Sequence, residues 1–130
     1  MAAEKSSFDE SFKAGADLSA LQYTFVSLST LGADTVDLAT SASTSPFILG
    51  VLQNDPSSSQ AANVRLHGIS RLSVSAAIAV GAFVTTTTAG LGLGATTANQ
   101  LCLGVALSAS TASGQNIELL MTGPFRFSST

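Results

Sequence analysis

The chain has 130 residues, the usual size of one domain, and only 10% of them are charged, against about 25% in a typical soluble domain. The formal net charge is −3, and the five basic residues are scattered, which excludes the clustered positive surface that nucleic-acid binding requires. The longest apolar run, residues 76–84, is far shorter than the ~20 residues that span a bilayer. We therefore expect neither nucleic acid nor a membrane as a partner.

The composition also predicts an unusual surface. Ala, Ser, Thr and Gly occupy positions where Lys and Glu would normally lie. Short side chains lose little rotamer entropy when they are covered. The surface therefore suits burial against other copies or another protein. A Ser/Thr-rich β-protein that is simply monomeric is the alternative.

Residues 1–16 are polar and charged, with Phe8 and Phe12 as their only aromatic side chains. A spacing of four residues would place both rings on one side of a helical turn. A segment this polar cannot form a core alone. We therefore expect an arm that is mobile or docks on a neighbour. It lacks the apolar segment of a secretory signal, which predicts folding in the cytoplasm of the producing cell.

From residue 17 onward the pattern is one of short strands separated by turn residues. Alternation of apolar and polar residues is typical of half-buried antiparallel strands. Residues 76–80 could form one short helical turn, and the glycine-rich residues 90–94 are typical of a loop. The predicted strands are residues 23–28, 36–39, 47–53, 63–69, 71–75, 83–88, 100–107 and 116–121.

Strands of this length and spacing predict an all-β fold, either a compact antiparallel β-sandwich or a small β-barrel, with little helix. The domain organisation follows from the same pattern. Residues 1–16 are the N-terminal arm, residues 17–123 a single β domain, and residues 124–130 a C-terminal tail.

Two segments of the chain resemble each other. Residues 49–51 (LGV) lead through a polar turn to residues 63–66 (NVRL), and residues 103–105 (LGV) lead through another to residues 116–119 (NIEL). Two hairpins of like design would give a pseudo-symmetric β-fold. Chance similarity between hairpins is the alternative.

No pattern of catalytic or ligand-binding residues emerges. The only histidine, His67, lies on an alternating strand with no nucleophile motif, and the glycines of residues 90–94 do not form a phosphate-binding fingerprint. The single cysteine, Cys102, lies in an apolar run and is expected to be a buried, inert thiol. One histidine and one cysteine cannot form a zinc site. We expect no enzyme, no cofactor and no metal.

Seven short segments, in this order and spacing, resemble the small capsid decoration (cement) proteins of bacteriophages. Each is short and weak alone, and together they span nearly the whole chain. The C-terminal segment 124–127 (PFRF) departs from the pattern. The segments are residues 16–19 (ADLS), 22–26 (QYTFV), 49–56 (LGVLQNDP), 64–69 (VRLHGI), 78–85 (IAVGAFVT), 104–107 (GVAL) and 114–119 (GQNIEL).

The resemblance implies a virion protein on the outer capsid surface that bridges neighbouring capsomers and thereby stabilises the shell. Its implied partners are the major capsid protein and further copies of itself, as a homotrimer. The aromatic residues of the polar terminal segments, Phe8, Phe12, Phe125 and Phe127, are the predicted contacts.

Other functions remain open at this point. The chain could be a head-fibre base, a tail component or part of a bacterial surface assembly. A ligand-binding β-barrel would need a lined cavity, for which seven Phe, one Tyr and no Trp offer little. An enzymatic function would be indicated by a measured turnover that a His67 substitution abolishes.

Overall fold

A computed structural model describes residues 8–29, 32–39, 48–87, 89–95 and 101–126. These residues form nine strands and no helix, so the predicted all-β fold is confirmed. No helix in the described ranges is long and apolar enough to cross a membrane. The strands are β1 (Phe8–Ala14), β2 (Phe25–Leu28), β3 (Thr35–Leu38), β4 (Ile48–Leu52), β5 (Ala61–Ser73), β6 (Phe83–Thr86), β7 (Gly92–Gly94), β8 (Leu101–Ala106) and β9 (Asn116–Arg126).

Strand β5 is long because it serves two barrels. Its first half pairs with β1 and β4, and its second half, from Gly68 to Ser73, pairs with β9. Gly68 has a φ of 108°, a backbone conformation that side chains rarely adopt. The strand therefore changes direction at Gly68 and passes from one barrel to the next.

The first barrel consists of β1, β3, β2, β4 and the first half of β5, in that order. It closes because β1 pairs in parallel with β3 on one side and antiparallel with β5 on the other. Closure leaves none of these strands with a fully open edge.

The second barrel repeats this order with the second half of β5, β7, β6, β8 and β9. Here the segment that follows β5 makes the closing contact. Val74 forms a parallel bridge with Gly92, as Ala14 does with Val36 in the first barrel. The second half of β5 thus has the same place in the second barrel as β1 has in the first.

The backbone hydrogen bonds of the two barrels correspond one to one over a large part of the chain. The Ala14 N–H donates to the Gln60 carbonyl at 2.9 Å, and the Val74 N–H donates to the Gln115 carbonyl at 3.0 Å. Because such agreement extends across strands and loops, the chain is an internal structural repeat. The same holds for the donor–acceptor pairs Gly15–Val36 and Ser75–Gly92, Tyr23–Leu52 and Gly81–Ala106, Gln53–Asn63 and Leu107–Glu118, and Ala39–Phe25 and Ala95–Phe83.

Positive φ angles recur at equivalent places in the two barrels. Ser59 has a φ of 68° and its counterpart Gly114 has 88°; each donates its N–H to the equivalent carbonyl, of Ala14 or of Val74. The first barrel also uses Tyr23 and Asp34 where the second uses Gly81 and Gly90. Among the described residues, the second barrel thus has glycine at each of the three positions where the first has a side chain at positive φ.

Two equivalent glycines allow the central strands to approach closely. Gly50 of β4 and Gly104 of β8 each lie beside the next strand of the barrel. A Cβ atom at Gly50 would overlap the Arg65 carbonyl oxygen, and one at Gly104 would overlap the Leu120 carbonyl oxygen. Glycine is therefore required by the packing of strands, and in the same way twice.

The barrels bury equivalent apolar side chains. Val64 and Leu119 fill corresponding places, as do Leu18 and Ile78. The apolar cluster inside the second barrel is larger than the one inside the first. It is larger because it includes side chains from the outside of the first barrel, among them Phe25 and Val51. The two barrels therefore share a continuous apolar contact.

Most predicted strands are confirmed, and the differences have clear causes. Segments 63–69 and 71–75 join into β5, because Gly68 bends the strand without ending it. The helical turn predicted for residues 76–80 is wrong, since Ile78 forms a bridge with Ser110. Residues 92–94 of the predicted glycine-rich loop form β7, whose pairing with β6 uses only backbone groups.

The terminal segments also contain strands. The helical spacing of Phe8 and Phe12 is wrong, because residues 8–14 form β1, an integral strand of the first barrel. At the other end, β9 continues across the expected boundary between residues 123 and 124 as far as Arg126. Residues 1–7 and 127–130 lie outside the described residues.

The close approach at Gly50 and Gly104 predicts matched losses of stability. Gly50→Ala and Gly104→Ala should each lower the free energy of unfolding by about 1–3 kcal/mol, because the added methyl group forces two strands apart. Gly94→Ala is the control, because a Cβ atom there meets nothing within 4 Å. Urea unfolding of the three variants measures the difference, and equal stability of all three would contradict the packing described above.

The repeated turn predicts a pair of opposite effects. Gly114→Ser should lower the free energy of unfolding by about 1–2 kcal/mol, the cost of a left-handed conformation for a residue with a Cβ atom. A Cβ atom at Gly114 has open space around it, so the cost comes from the backbone alone. Ser59→Gly should be neutral or stabilising. Thermal unfolding of both variants tests this, and a stabilising Gly114→Ser would contradict it.

Candidate interaction surface

The residues considered for chemistry do not converge on one site. His67 is exposed on β5, and Cys102 is fully buried in β8. Among the described residues, no group of three or more His, Cys, Asp and Glu side chains is placed to hold a metal ion. The feature that the described residues do offer is an apolar surface, and it follows from the internal repeat.

Burial decides the character of Cys102. Its side chain is inaccessible, and loss of solvation raises the pKa of the thiol to about 11. The thiolate is the reactive form of cysteine, so almost none is present at neutral pH. The expectation of a buried and unreactive thiol agrees with this environment.

A row of four side chains crosses the outside of the second barrel. Phe83 pairs with Val105, Val105 with Leu120, and Leu120 with Ile69. Residues paired directly across antiparallel strands project from the same face of the sheet. The four side chains therefore form one continuous apolar strip, called here the Phe83 row.

The first barrel has the equivalent row, made of Phe25, Val51, Arg65 and Asp9. At the charged end of this row, Arg65 and Asp9 form a bidentate ion pair. Arg65 Nε lies 2.8 Å from Asp9 Oδ1, and Nη2 lies 3.1 Å from Oδ2. This ion pair raises the pKa of Arg65, with its side-chain hydrogen bond to Asp9 as the largest cause. The four residues are called here the Phe25 row.

The two rows differ sharply in exposure. Phe25 and Val51 are 0% exposed, whereas Phe83 is 44% and Leu120 38% exposed. Both rows occupy the same place in their own barrel. The difference arises because the second barrel covers Phe25 and Val51, whereas Phe83 and Leu120 remain partly accessible.

Backbone contacts fix how the second barrel covers the first. The Phe25 N–H donates to the Gly90 carbonyl at 2.8 Å, and the Ser73 N–H donates to the Tyr23 carbonyl at 2.8 Å. Gly90 also lies so close to Leu38 that a Cβ atom would overlap its side chain. The segment from Tyr23 to Phe25 is thus held against the surface formed by Ser73 and Gly90.

In the first barrel the counterparts of these two groups are bonded to each other, because the Lys13 N–H donates to the Asp34 carbonyl at 2.8 Å. Lys13 and Asp34 correspond to Ser73 and Gly90 by their places in the repeat. They border an open groove with a volume of about 380 Å³, whose residues are exposed except for the half-buried Phe12. We call it the first-barrel groove; it is lined chiefly by Phe12, Lys13, Asp34, Ser59, Gln60 and Ala61.

The aromatic residues predicted as contacts lie in different environments. Phe8 is 54% exposed at the start of β1, and Phe12 packs against the core of the first barrel while lining its groove. Phe125 lies in β9 with its backbone paired to Cys102, and Phe127 is outside the described residues. The sequence alone did not single out Phe83 and Leu120. They are recognised only through the internal repeat, in which they correspond to Phe25 and Arg65.

No protein-family model matches the chain, and no curated protein matches it. Among solved structures, the chain is similar to the head fiber gp8.5 N base in bacteriophage phi29. The TM-score is 0.68 at 16% sequence identity, and the match covers 90% of this chain and 95% of that chain. The two proteins therefore share an all-β fold over nearly their whole lengths.

The environment of Cys102 predicts slow chemistry in the native state. At pH 8 the thiol should react with Ellman's reagent far more slowly in the folded protein than in denaturant, because the thiolate is scarce and shielded. Its native rate should rise as pH approaches about 11. Absorbance of the released thiolate measures both rates. Equal rates with and without denaturant would contradict the burial.

Proposed function

We propose that this chain is a non-catalytic structural protein of a bacteriophage head, and that it acts on the outer capsid surface as the base of a head fibre. The observation that carries the proposal is the fold, which is similar over 90% of the chain to the base of a phage head fibre. At 16% identity the similarity supports the role through the shared fold.

The surface composition supports the same role. Few charged residues and many short side chains lower the entropic cost of covering a surface. In the proposed function the partners are the major capsid protein and further copies of this chain, arranged as a homotrimer. Nucleic acid, a membrane, a cofactor and a catalytic centre have no part in it.

A decoration or cement protein is the second candidate, supported by the sequence resemblance described above. A cement protein binds the assembled shell and not the free subunits, so it shifts the equilibrium toward the shell by mass action. Several modest contacts within one oligomer would add up through multivalency. The two candidates differ in what binding does to the shell.

Purified shells of the phage that encodes the chain distinguish the candidates. We expect the recombinant protein to co-sediment with shells in either case. A cement protein should raise the melting temperature of the shell in calorimetry, because it bridges capsomers, whereas a fibre base should leave it nearly unchanged. Failure to co-sediment under conditions where the protein is folded would contradict both roles.

Of Phe8 and Phe12, the two predicted contacts whose exposure the structure describes, Phe8 is the more accessible. Phe8→Ser should weaken co-sedimentation with shells by about tenfold, the effect of losing roughly 1.4 kcal/mol of apolar burial. Val80→Ser is the matched control, since Val80 is 65% exposed but distant in sequence from β1. Equal binding of both variants would exclude Phe8 as a capsid contact.

A further inference from the structure

We propose that the end of β9, from residue 124 onward, is a donor strand that takes the place of β1 in the first barrel of a second copy. Copies of the chain are then joined by strand exchange. This inference deepens the self-association included in the proposed function and rests on that part alone. It does not depend on binding to a capsid.

The internal repeat shows which strand the end of β9 corresponds to. Arg65 pairs with β4 as Leu120 pairs with β8, so β9 is the counterpart of the first half of β5. Three residues further along each strand, Gly68 of β5 corresponds to Gly123 of β9. At Gly68 the chain passes into the first strand of the next barrel, and β9 likewise continues beyond Gly123. Residues 124–126 therefore lie where the first strand of a further barrel would begin.

This part of β9 is paired on one edge. Phe125 and Arg126 both pair with β8, whereas the pairing of β9 with β5 ends at Met121. In the second half of β5 the corresponding edge carries β9. Among the strands that the structure describes, none pairs with this edge of residues 124–126. An unpaired strand edge is a template for a strand of another chain.

The first barrel holds β1 at the equivalent place, and β1 is only lightly buried there. Of its seven residues, Ala14 alone is buried, and β3 pairs with it over two residues. At the same place in the second barrel, both Ser70 and Leu72 are buried. The ion pair between Asp9 and Arg65 is partly exposed, and such pairs stabilise a fold only weakly. Displacement of β1 therefore breaks few buried contacts.

The sequence at the end of β9 suits the place of β1. In the register of the repeat, Phe125 takes the position of Glu10. Phe12 packs against the core of the first barrel, and Glu10 lies two residues before it on the same face of the strand. Phe127 follows Phe125 at the same spacing in the sequence. Exchange thus replaces an acidic residue with an aromatic one at an inward register position, which favours burial.

The exchange joins two unlike surfaces, a donor strand on the second barrel and an acceptor site on the first. Contacts between unlike surfaces form closed rings or open filaments. A closed ring of three copies would give the homotrimer of the proposed function. β9 keeps its pairing with β8 in this arrangement, because the exchange uses its other edge.

A reversible disulfide tests whether β1 must leave its place. Ser11 and Asn63 are exposed and pair directly across β1 and β5. The Asn63 carbonyl accepts from Gln53 instead, and the Lys13 N–H donates to Asp34. Ser11 and Asn63 are therefore a non-hydrogen-bonded pair, whose Cα atoms lie about 4.5 Å apart, within the range of a disulfide.

The double variant Ser11→Cys/Asn63→Cys locks β1 in place when it is oxidised. We expect the oxidised form to self-associate at least tenfold more weakly than the reduced form of the same protein. Sedimentation velocity measures the association, and circular dichroism establishes that both forms are folded. The reduced form is the matched control, since it has the same sequence and a free β1.

A second pair of cysteines reports the exchange itself. In the proposed register Arg126 of one copy takes the position of Ser11 and lies opposite Asn63 of the next copy. Arg126→Cys/Asn63→Cys should therefore form a disulfide between copies, seen by non-reducing electrophoresis after free thiols are blocked. Asn63→Cys alone is the control, and Cys102 is buried in both proteins.

Three results would overturn the inference. The unsubstituted chain could remain a monomer up to its solubility limit, the oxidised Ser11→Cys/Asn63→Cys variant could assemble as its reduced form does, or Arg126→Cys/Asn63→Cys could form no disulfide between copies. Co-sedimentation with shells is measured on the same proteins. An assembled, folded protein that does not bind shells would count against the proposed function, and assembly that the lock leaves unchanged would count against this inference.

Discussion

The whole architecture depends on one strand shared by two barrels. Strand β5 supplies a wall to each, and it changes direction at Gly68. Arg65 fastens this bend, because it holds Asp9 of β1 and donates through Nη1 to the Ile69 carbonyl at 2.8 Å. A side chain from the first barrel thus bonds to the backbone of the second across the glycine. The two barrels consequently cannot separate without breaking β5.

A shared strand also explains why the repeat is uneven. One barrel must cover the other on one side only, so equivalent surfaces acquire different environments. Phe25 is buried in a core, whereas its counterpart Phe83 lies at the surface of the second barrel with 44% exposure. The same asymmetry is seen in the backbone, since the Lys13 N–H donates to the Asp34 carbonyl of its own barrel, whereas the N–H of its counterpart Ser73 donates to the Tyr23 carbonyl of the other barrel.

Sequence reasoning found the strands where alternation was strong and missed them where backbone geometry decides. In β5 the buried Val64 and Leu72 follow the predicted inward face, and so does Val74 directly after the strand. β7 consists of Gly92, Leu93 and Gly94, so it has no alternating pattern to detect, and only its pairing with β6 defines it. β1 was obscured by its charges, which face solvent or form the Asp9–Arg65 ion pair.

The internal resemblance was detected in the right segments but with a shifted register. Sequence similarity matched Asn63 with Asn116, whereas the hydrogen bonds match Asn63 with Glu118. Residue identity was misleading because the repeat is maintained by backbone roles, chiefly the close approaches at Gly50 and Gly104. The candidate surface could not be predicted from the sequence for the same reason. Its recognition requires knowing that Phe83 and Phe25 occupy equivalent places.

An experimental structure that places the backbone oxygens of the chain tests the central claim, the internal repeat joined by β5, most directly. We predict that the Val74 N–H bonds to the Gln115 carbonyl in the second barrel as the Ala14 N–H bonds to the Gln60 carbonyl in the first. We also predict that β5 runs without interruption through Gly68, with its first half paired to β1 and its second half to β9. A structure in which these equivalent hydrogen bonds differ, or in which β5 ends at Gly68, would contradict the repeat.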